Sequence, residues 1–342
     1  MCCLFGVVNY SGKPNNEVNE LVNCLAQHAT VRGMDSTGIA YNKDGVLKIY
    51  KKPLSAYQMC FKGVEDSACI IGHTRHATQG SEQKNYNNHP FMGYCENTKF
   101  ALAHNGVLWN DKTLRSRYGI APNRIETDSY IAVQLLEKYG TFNFQNIGEM
   151  AETVNGSFAF SMVDESDNLW LVKGDNPLSI VHLPKQKMYV YASTNSILFN
   201  ALNETEFLAD IIAKDFDVVK IDGGEIVRIS ADGKITRGEF EYYDKFTTYY
   251  DWRTWGTQNK NNSFSFSTPT PTTAPITVTP TATPTVKLSP ADEEYLKTLR
   301  CVARTMGIYD EEIDELLEEG FTLEEIEDYV YYEDSYVQTY AM

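Results

Sequence analysis

Residues 1–6 read MCCLFG. Cys2 directly follows the initiator methionine, and methionine before a small residue is normally removed, so the mature chain is expected to begin at Cys2. A terminal cysteine carries a thiol and a free α-amine on one residue. Their unperturbed pKa values are about 8.5 and about 7.7–8. One residue can then supply both nucleophile and base, which is what covalent amide cleavage requires. A Met-Cys start alone is weak evidence, so the weight falls on the motifs downstream of it.

Working outward, residues 72–80 read GHTRHATQG, 103–107 read AHNGV, 126–128 read ETD and 32–40 read RGMDSTGIA. The runs SACIIGHT, KFALAHN, GSFAFSMVD, NLWLVKG and KMYVYAST are short and rich in β-branched or aromatic residues, which marks strands. DVVKIDGGEIVRIS and ADGKITR read as successive hairpins turning on Asp-Gly pairs. Val18, Leu21, Val22, Leu25 and Ala29 fall at helical spacing over about 16–29. A second helix is expected to begin near Asp128, with Ile131, Leu135 and Leu136 on its apolar side. Helices mixed with mostly antiparallel strands, without a βαβ rhythm, predict an α+β layered domain of about 250 residues.

The chain has 342 residues, and a prior of roughly 150 per domain gives about two domains. The boundary is legible. Residues 268–285 read TPTPTTAPITVTPTATPT, and the spacer NKNNSFSFS precedes them. Proline removes backbone donors and favours extended geometry, so a disordered, semi-stiff linker is expected over 257–287. The net charge is −16, and residues 287–342 hold 16 acidic and 4 basic residues, a net of −12. The front part is therefore near neutral. General nucleic-acid binding, which needs a basic face, is not expected. No transmembrane run and no secretory signal is seen. Seven cysteines, an odd number without a framework, read as thiols in a reducing cytosol, so the protein is expected to be cytoplasmic.

In the acidic module, 288–342, Ser289-Pro290 reads as a helix start and Thr322 with Glu325 as a capping box. Leu316, Leu317, Phe321, Leu323, Ile326, Tyr329 and Val330 form the apolar side of short helices. A small docking module is expected, against the plainer reading of a solubilising tail.

The motifs together, in this order, resemble those of the class II glutamine amidotransferases, the N-terminal-nucleophile family that includes the glutaminase halves of glucosamine-6-phosphate synthase and amidophosphoribosyltransferase. NGSFAFSMVD (155–164), GDNPLSIV (174–181), YASTNSIL (191–198) and IDGGEIVRI (221–229) extend the resemblance over about 2–240, within a domain expected at 2–250. The resemblance implies the four-layer αββα sandwich of N-terminal-nucleophile hydrolases. It implies that Cys2 attacks the side-chain amide of L-glutamine and forms a glutamyl thioester, and that Asn105 and Gly106 make the oxyanion hole. Arg75 and Thr78 would bind the substrate α-carboxylate, and Asp128 its α-ammonium. Arg32 and His76 would be structural near the site. Neither a cofactor nor a metal is implied.

Plainer readings exist for each residue. Arg75 could be a surface ion pair, Asp128 a helix N-cap, and Asn105-Gly106 a turn. His73, His76 and His104 lack companions at ligand spacing. His89-Pro90-Phe91 matches a structural loop of the family. Three positions depart from the family pattern. Cys3 stands where glycine is usual, and could crowd the site or offer a second thiol. His76 replaces an aromatic residue but still offers a flat ring to wall the pocket. Gln79 replaces a frequent histidine. Nothing after the linker is long enough for a synthase domain, and no P-loop is present. The expected function is a stand-alone glutaminase delivering ammonia to a synthase, ligase or docking protein on another chain. The alternatives are a catalytically weak or inactive scaffold that binds through its tail, and an amidase acting on a different amide.

Overall fold

A computed structural model describes residues 2–121, 123–205, 207 and 215–242, with scattered positions between 293 and 326. The chain divides into two compact units, Met1–Asn262 and Ser263–Met342. The expected linker at 257–287, the end of the front domain at 250, the Ser289-Pro290 start and the Thr322–Glu325 capping box lie outside the described residues.

The first unit begins with β1 (Cys3–Asn9), α1 (Glu17–His28), β2 (Ser36–Lys43), β3 (Val46–Lys52) and β4 (Cys69–Arg75). β5 (Phe91–Tyr94) and β6 (Lys99–Leu108) lead into α2 (Asp111–Arg117), α3 (Tyr130–Tyr139) and α4 (Phe144–Thr153). β7 (Gly156–Asp164), β8 (Leu169–Lys173), β9 (Ser179–Leu183) and β10 (Met188–Ala192) come next, before α5 (Asn195–Asn203). β11 (Asp217–Val218), β12 (Glu225–Ile229) and β13 (Ile235–Glu239) close the series. Two antiparallel sheets result, in the orders β11-β9-β10-β1-β4-β2-β3 and β13-β12-β8-β7-β6-β5.

Strand alternation sorts the side chains into layers. Phe5 and Val7 pack with Val18, Leu21 and Leu25 of α1 and with Ile197, Leu198 and Ala201 of α5. Leu4 and Val8, on the other face of β1, meet Ala101, Ala103, Ala159 and Val163 between the sheets. Phe100, Leu102, Phe158 and Phe160 turn outward onto Leu114, Ile131, Leu135, Ile147 and Met150 of α2, α3 and α4. The order helix, sheet, sheet, helix is the αββα sandwich that the resemblance implied. Because both faces of each sheet are covered, strands such as CIIGHTR are buried from end to end.

Two readings of the sequence need correction. The first Asp-Gly pair, Asp222-Gly223, does not turn a hairpin. β11 lies beside β9 in one sheet and β12 beside β8 in the other, so the segment crosses between sheets. The second pair, Asp232-Gly233, does turn the β12–β13 hairpin, with Gly233 at φ +82. Helices α2, α4 and α5 also went unread. The short segment NSILFNALN of α5 buries Ile197, Leu198, Ala201 and Leu202 and turns Ser196, Asn200 and Asn203 away from them, and its start is set by Thr194, whose hydroxyl accepts the Ile197 N–H.

In the second unit the described positions are helical, and Leu299, Ala303, Ile313 and Ile326 are buried together with Leu296 and Leu317 against them. Arg300 pairs with Asp314. Leu316, Phe321, Tyr329 and Val330 of the expected apolar side are outside the described residues. Among the described residues no helix is long and apolar enough to cross a membrane.

Candidate active site

Alternation also decides where the chemistry gathers. In β4, Cys69 and Ile71 face the space between the sheets while Ile70 faces α1. Arg75 therefore projects into the inter-sheet gap, and Thr74 turns to α1, where its hydroxyl donates to the Ala29 carbonyl at 2.8 Å. Cys2, one residue before β1, shares the side of Leu4. Asn105 shares the side of Ala101 and Ala103. Since β1 and β4 are antiparallel with Cys3 opposite Thr74, the start of one strand lies beside the end of the other. Cys2, Arg75 and Asn105 thus face the same gap at one end of the sandwich.

Cys2 is half-buried, and its Sγ lies 3.5 Å from the His76 carbonyl oxygen. Burial pushes its thiol above the ordinary value, opposed by that hydrogen bond and by the charge of Arg75. Arg32 donates from Nε to the Cys2 carbonyl at 3.1 Å, so it holds the backbone of the candidate nucleophile. Cys3 neither crowds the site nor supplies a thiol to it. It is fully buried and faces the α1 core, which corrects the concern raised by the departure from glycine.

Asn105 is 1% exposed, and its Nδ2 has no hydrogen-bond partner. A buried amide donor without an acceptor is costly, which marks the atom as waiting for a ligand. Asn176 donates from Nδ2 to the Asn105 carbonyl at 3.1 Å and to Ser157 Oγ at 2.8 Å. A trans peptide points its N–H opposite its carbonyl, so Asn176 fixes the direction of the Gly106 N–H. Gly106 has φ +137, and a Cβ there would meet the Ser157 carbonyl at 1.9 Å. Asn105-Gly106 is therefore not a hairpin turn but a distorted stretch inside β6, open only to glycine.

Arg75 is 3% exposed, which excludes the surface ion pair. Its Nη1 donates to Asn88 Oδ1 at 2.9 Å, and its Nη2 to the carbonyls of Gln79 at 2.6 Å and Gly80 at 2.9 Å. These acceptors are neutral, so among the described residues no carboxylate is paired directly with the guanidinium. Burial lowers its pKa, while Cys2, Asp128, Glu82 and Asp35 oppose the shift. Asp128 is buried, and its Oδ2 accepts the Leu108 N–H at 2.6 Å. It does not cap α3 through its side chain, since Ser129 holds the cap position. Asp128 instead ties the end of β6 to the start of α3.

The remaining expected residues sit at the rim. Thr78 is exposed on the loop after β4. The side chain of His76 is 60% exposed, with Nδ1 3.6 Å from Asp35 Oδ2, so its ring leans outward and does not wall a pocket. Its backbone carbonyl is the part that meets Cys2. Asp35 also accepts the Ala77 N–H at 2.7 Å, pinning the loop. Gln79 donates to the Glu126 carbonyl at 2.8 Å, joining that loop to the segment that carries Asp128.

Behind the gap lie three buried imidazoles. His73 donates from Nε2 to the His104 carbonyl at 2.9 Å, His104 Nδ1 lies 2.8 Å from Ser129 Oγ, and the rings of His73 and His89 are 4.2 Å apart. Burial pulls His73 down to about 3 and also lowers His89 and His104. All three are neutral packing groups; His73 and His104 also hydrogen-bond, whereas neither ring nitrogen of His89 has a partner among the described residues. Among the described residues no group of three His, Cys, Asp or Glu side chains is arranged to hold a metal. Asn88, Asn176 and Asp35 were missed as site residues. Their motifs were visible, but asparagine and aspartate are common in loops and nothing local marks a long-range hydrogen bond.

A family model described as glutamine amidotransferase domain matches residues 73–200. The glutamine–fructose-6-phosphate aminotransferase (isomerizing) of Fusobacterium nucleatum is 29% identical over 244 residues, 68% of this chain and 38% of its own length. Residues 73–200 thus carry a glutamine amidotransferase domain, and the front unit is similar to the class II glutamine amidotransferases. The same enzyme of Staphylococcus epidermidis is 30% identical over 185 residues, 51% of this chain and 30% of its own. Among solved structures, the glutamine phosphoribosylpyrophosphate amidotransferase of B. subtilis, complexed with ADP and GMP, has a TM-score of 0.54 at 22% identity. That match covers 71% of this chain and 50% of the other. A structure described as the allosteric regulatory enzyme of purine biosynthesis scores 0.55 over the same shares. These likenesses show that the amidotransferase domain has the fold of the N-terminal-nucleophile hydrolases. The chain spans 38% of the length of the first of these curated relatives.

Proposed function

We propose that the amidotransferase domain is a cysteine glutaminase that releases ammonia from L-glutamine through a thioester on Cys2. The observation that carries this reading is the unpartnered Asn105 Nδ2, buried and facing the same gap as Cys2 and the buried guanidinium of Arg75. A thiol, an idle amide donor and a buried cation meet three of the needs of a free amino acid with a side-chain amide, and Asp128 supplies the fourth, an anion for its ammonium.

With Met1 removed, the α-amine of Cys2 takes the proton of its own thiol. The thiolate attacks the carboxamide carbon of glutamine, and the carbonyl oxygen becomes an oxyanion. Asn105 Nδ2 and the Gly106 N–H donate to that oxygen, and such donors aimed at developing charge are each worth about 3–4 kcal/mol. The ammonium of Cys2 then protonates the departing nitrogen as the C–N bond breaks. Water attacks the thioester, releasing glutamate and restoring the thiol. Arg75 takes the substrate α-carboxylate, Thr78 assists at the rim, and Asp128 takes the α-ammonium. Reading both charges separates free glutamine from an amide within a peptide.

The ammonia is passed to an acceptor on a separate chain, docked by the acidic C-terminal unit. The net charge of −12 over residues 287–342 supports a basic partner surface. The six described cysteines are all free, which supports a reducing, cytoplasmic setting. Incubation with a diazo-ketone analogue of glutamine, followed by intact-mass and peptide mapping, tests the central claim. One adduct on Cys2, with Met1 absent and with glutamate formed from glutamine, is expected. An adduct on Cys3, or no adduct on a chain that begins at Cys2, overturns it.

A further inference from the structure

Lys51 lies on β3 directly opposite Gly38 of β2. A Cβ at Gly38 would meet the His89 carbonyl at 2.3 Å and the Pro90 ring at 3.1 Å, so the 89–90 turn lies on the sheet at that point. Lys51 crosses to the same turn. Its Nζ donates to the carbonyls of Asn88 and Pro90, the latter at 2.8 Å, and stands 4.8 Å from the centroid of the Phe91 ring. Its own carbonyl accepts from Asn85 Nδ2 at 2.9 Å. One lysine thus holds the 85–90 segment at both of its ends.

That segment in turn holds the arginine. Asn88 accepts from Arg75 through Oδ1 and donates from Nδ2 to the Glu82 carbonyl at 2.8 Å. We propose that Lys51 is a positioning residue for substrate recognition, fixing the Asn88 turn that aims Arg75 at the α-carboxylate of the substrate. This rests on the reading of Arg75 given above. Lys51 touches neither the thiol nor the oxyanion donors, so its effect is confined to the carboxylate end of the substrate. Burial beside Arg75 and Arg124 pulls its ammonium down to about 7. A neutral amine still has two N–H bonds for the two carbonyls, so both forms keep the turn in place.

Lys51→Met in the full chain tests this by steady-state kinetics on L-glutamine and on glutamine α-amide, which lacks the carboxylate. Loss of a group that orients a ligand-binding side chain is expected to raise KM for L-glutamine about tenfold with kcat within about twofold. The α-amide should show the same kcat/KM in variant and parent, and Lys51→Arg should recover most of the loss for L-glutamine. Equal KM for L-glutamine in Lys51→Met and parent, or an equal loss on both substrates, overturns the proposal. Arg75→Ala is measured alongside. If it too leaves KM unchanged, the reading of Arg75 has failed; if it raises KM while Lys51→Met does not, only the role of Lys51 has failed. Should Lys51→Met not fold, Lys51→Gln, which keeps a donor, is read in the same way.

Discussion

Asn105 belongs to β6, paired along its length with β7, whereas the atoms that hold Arg75 belong to the loops between β4 and β5. The first arm is fixed by a backbone ladder and by Asn176. The second is fixed by side chains reaching carbonyls and an amide: Arg75 to Gln79 and Gly80, Lys51 to Asn88 and Pro90, Asp35 to Ala77. A ladder cannot shift one residue without shifting its neighbours, so it suits donors that must meet a transition state within tenths of an ångström. A loop can open and close around a substrate. The strand arm is therefore expected to govern turnover and the loop arm to govern binding.

Substitutions can break this division. Asn105→Ala is expected to lower kcat by about a hundredfold or more with KM little changed. Turnover at the parent rate would remove Asn105 from the oxyanion site. Arg75→Ala should instead raise KM by roughly thirtyfold to a hundredfold, as loss of a charge-assisted double contact does, with a smaller change in kcat. A pure kcat effect would mean that the loop arm serves chemistry and the division is wrong. Asn176→Ala sharpens the first arm. It leaves the donors in place but frees the Asn105 carbonyl, so a kcat loss of about tenfold, less than that of Asn105→Ala, is expected.

The imidazoles behind both arms make a stability prediction. His73, His89 and His104 have folded pKa values below the ordinary one, so they are neutral in the native state and take up protons on unfolding. For His73 the stability is intact above about pH 6.5 and falls as pH drops towards about 3, by about 1.4 kcal/mol per pH unit, and His89 and His104 act in the same direction. Urea midpoints of parent and His73→Phe across that window should differ in slope by about one proton. Parallel slopes would show that His73 is protonated in the folded protein. The smallest effect is expected from the tail. Residues 1–250 should match the full chain in kcat and KM, because every candidate site residue precedes the linker. A large loss of activity or of melting temperature would show that the acidic unit completes the domain.

Much of the strand arm was legible. The run KFALAHN was legible as a strand, β6, but Asn105-Gly106 at its end read locally as a turn, and only the family resemblance pointed to an oxyanion pair there. The pairing of Asp128 with Leu108 was not legible, nor was the outward lean of His76. Both depend on which neighbour arrives from elsewhere in the chain. Asp222-Gly223 misled for the same reason. A local turn signal says that the chain bends there but not whether it returns to the same sheet.

The order of motifs along the chain was enough for a family resemblance, and it was the resemblance that implied an N-terminal nucleophile, an oxyanion pair and a clamp for an amino acid. Each motif carries its own residue types and local backbone demands, and Gly106 is the clearest case, since only glycine tolerates its φ and the nearby Ser157 carbonyl. Packing decided the rest. Whether Cys3 faced the site or the α1 core, whether Arg75 was buried without a direct carboxylate partner, and which loop residues held it all turned on the register between strands far apart in sequence. Register is set by the burial of whole strand faces, a sum over many side chains that no single motif contains.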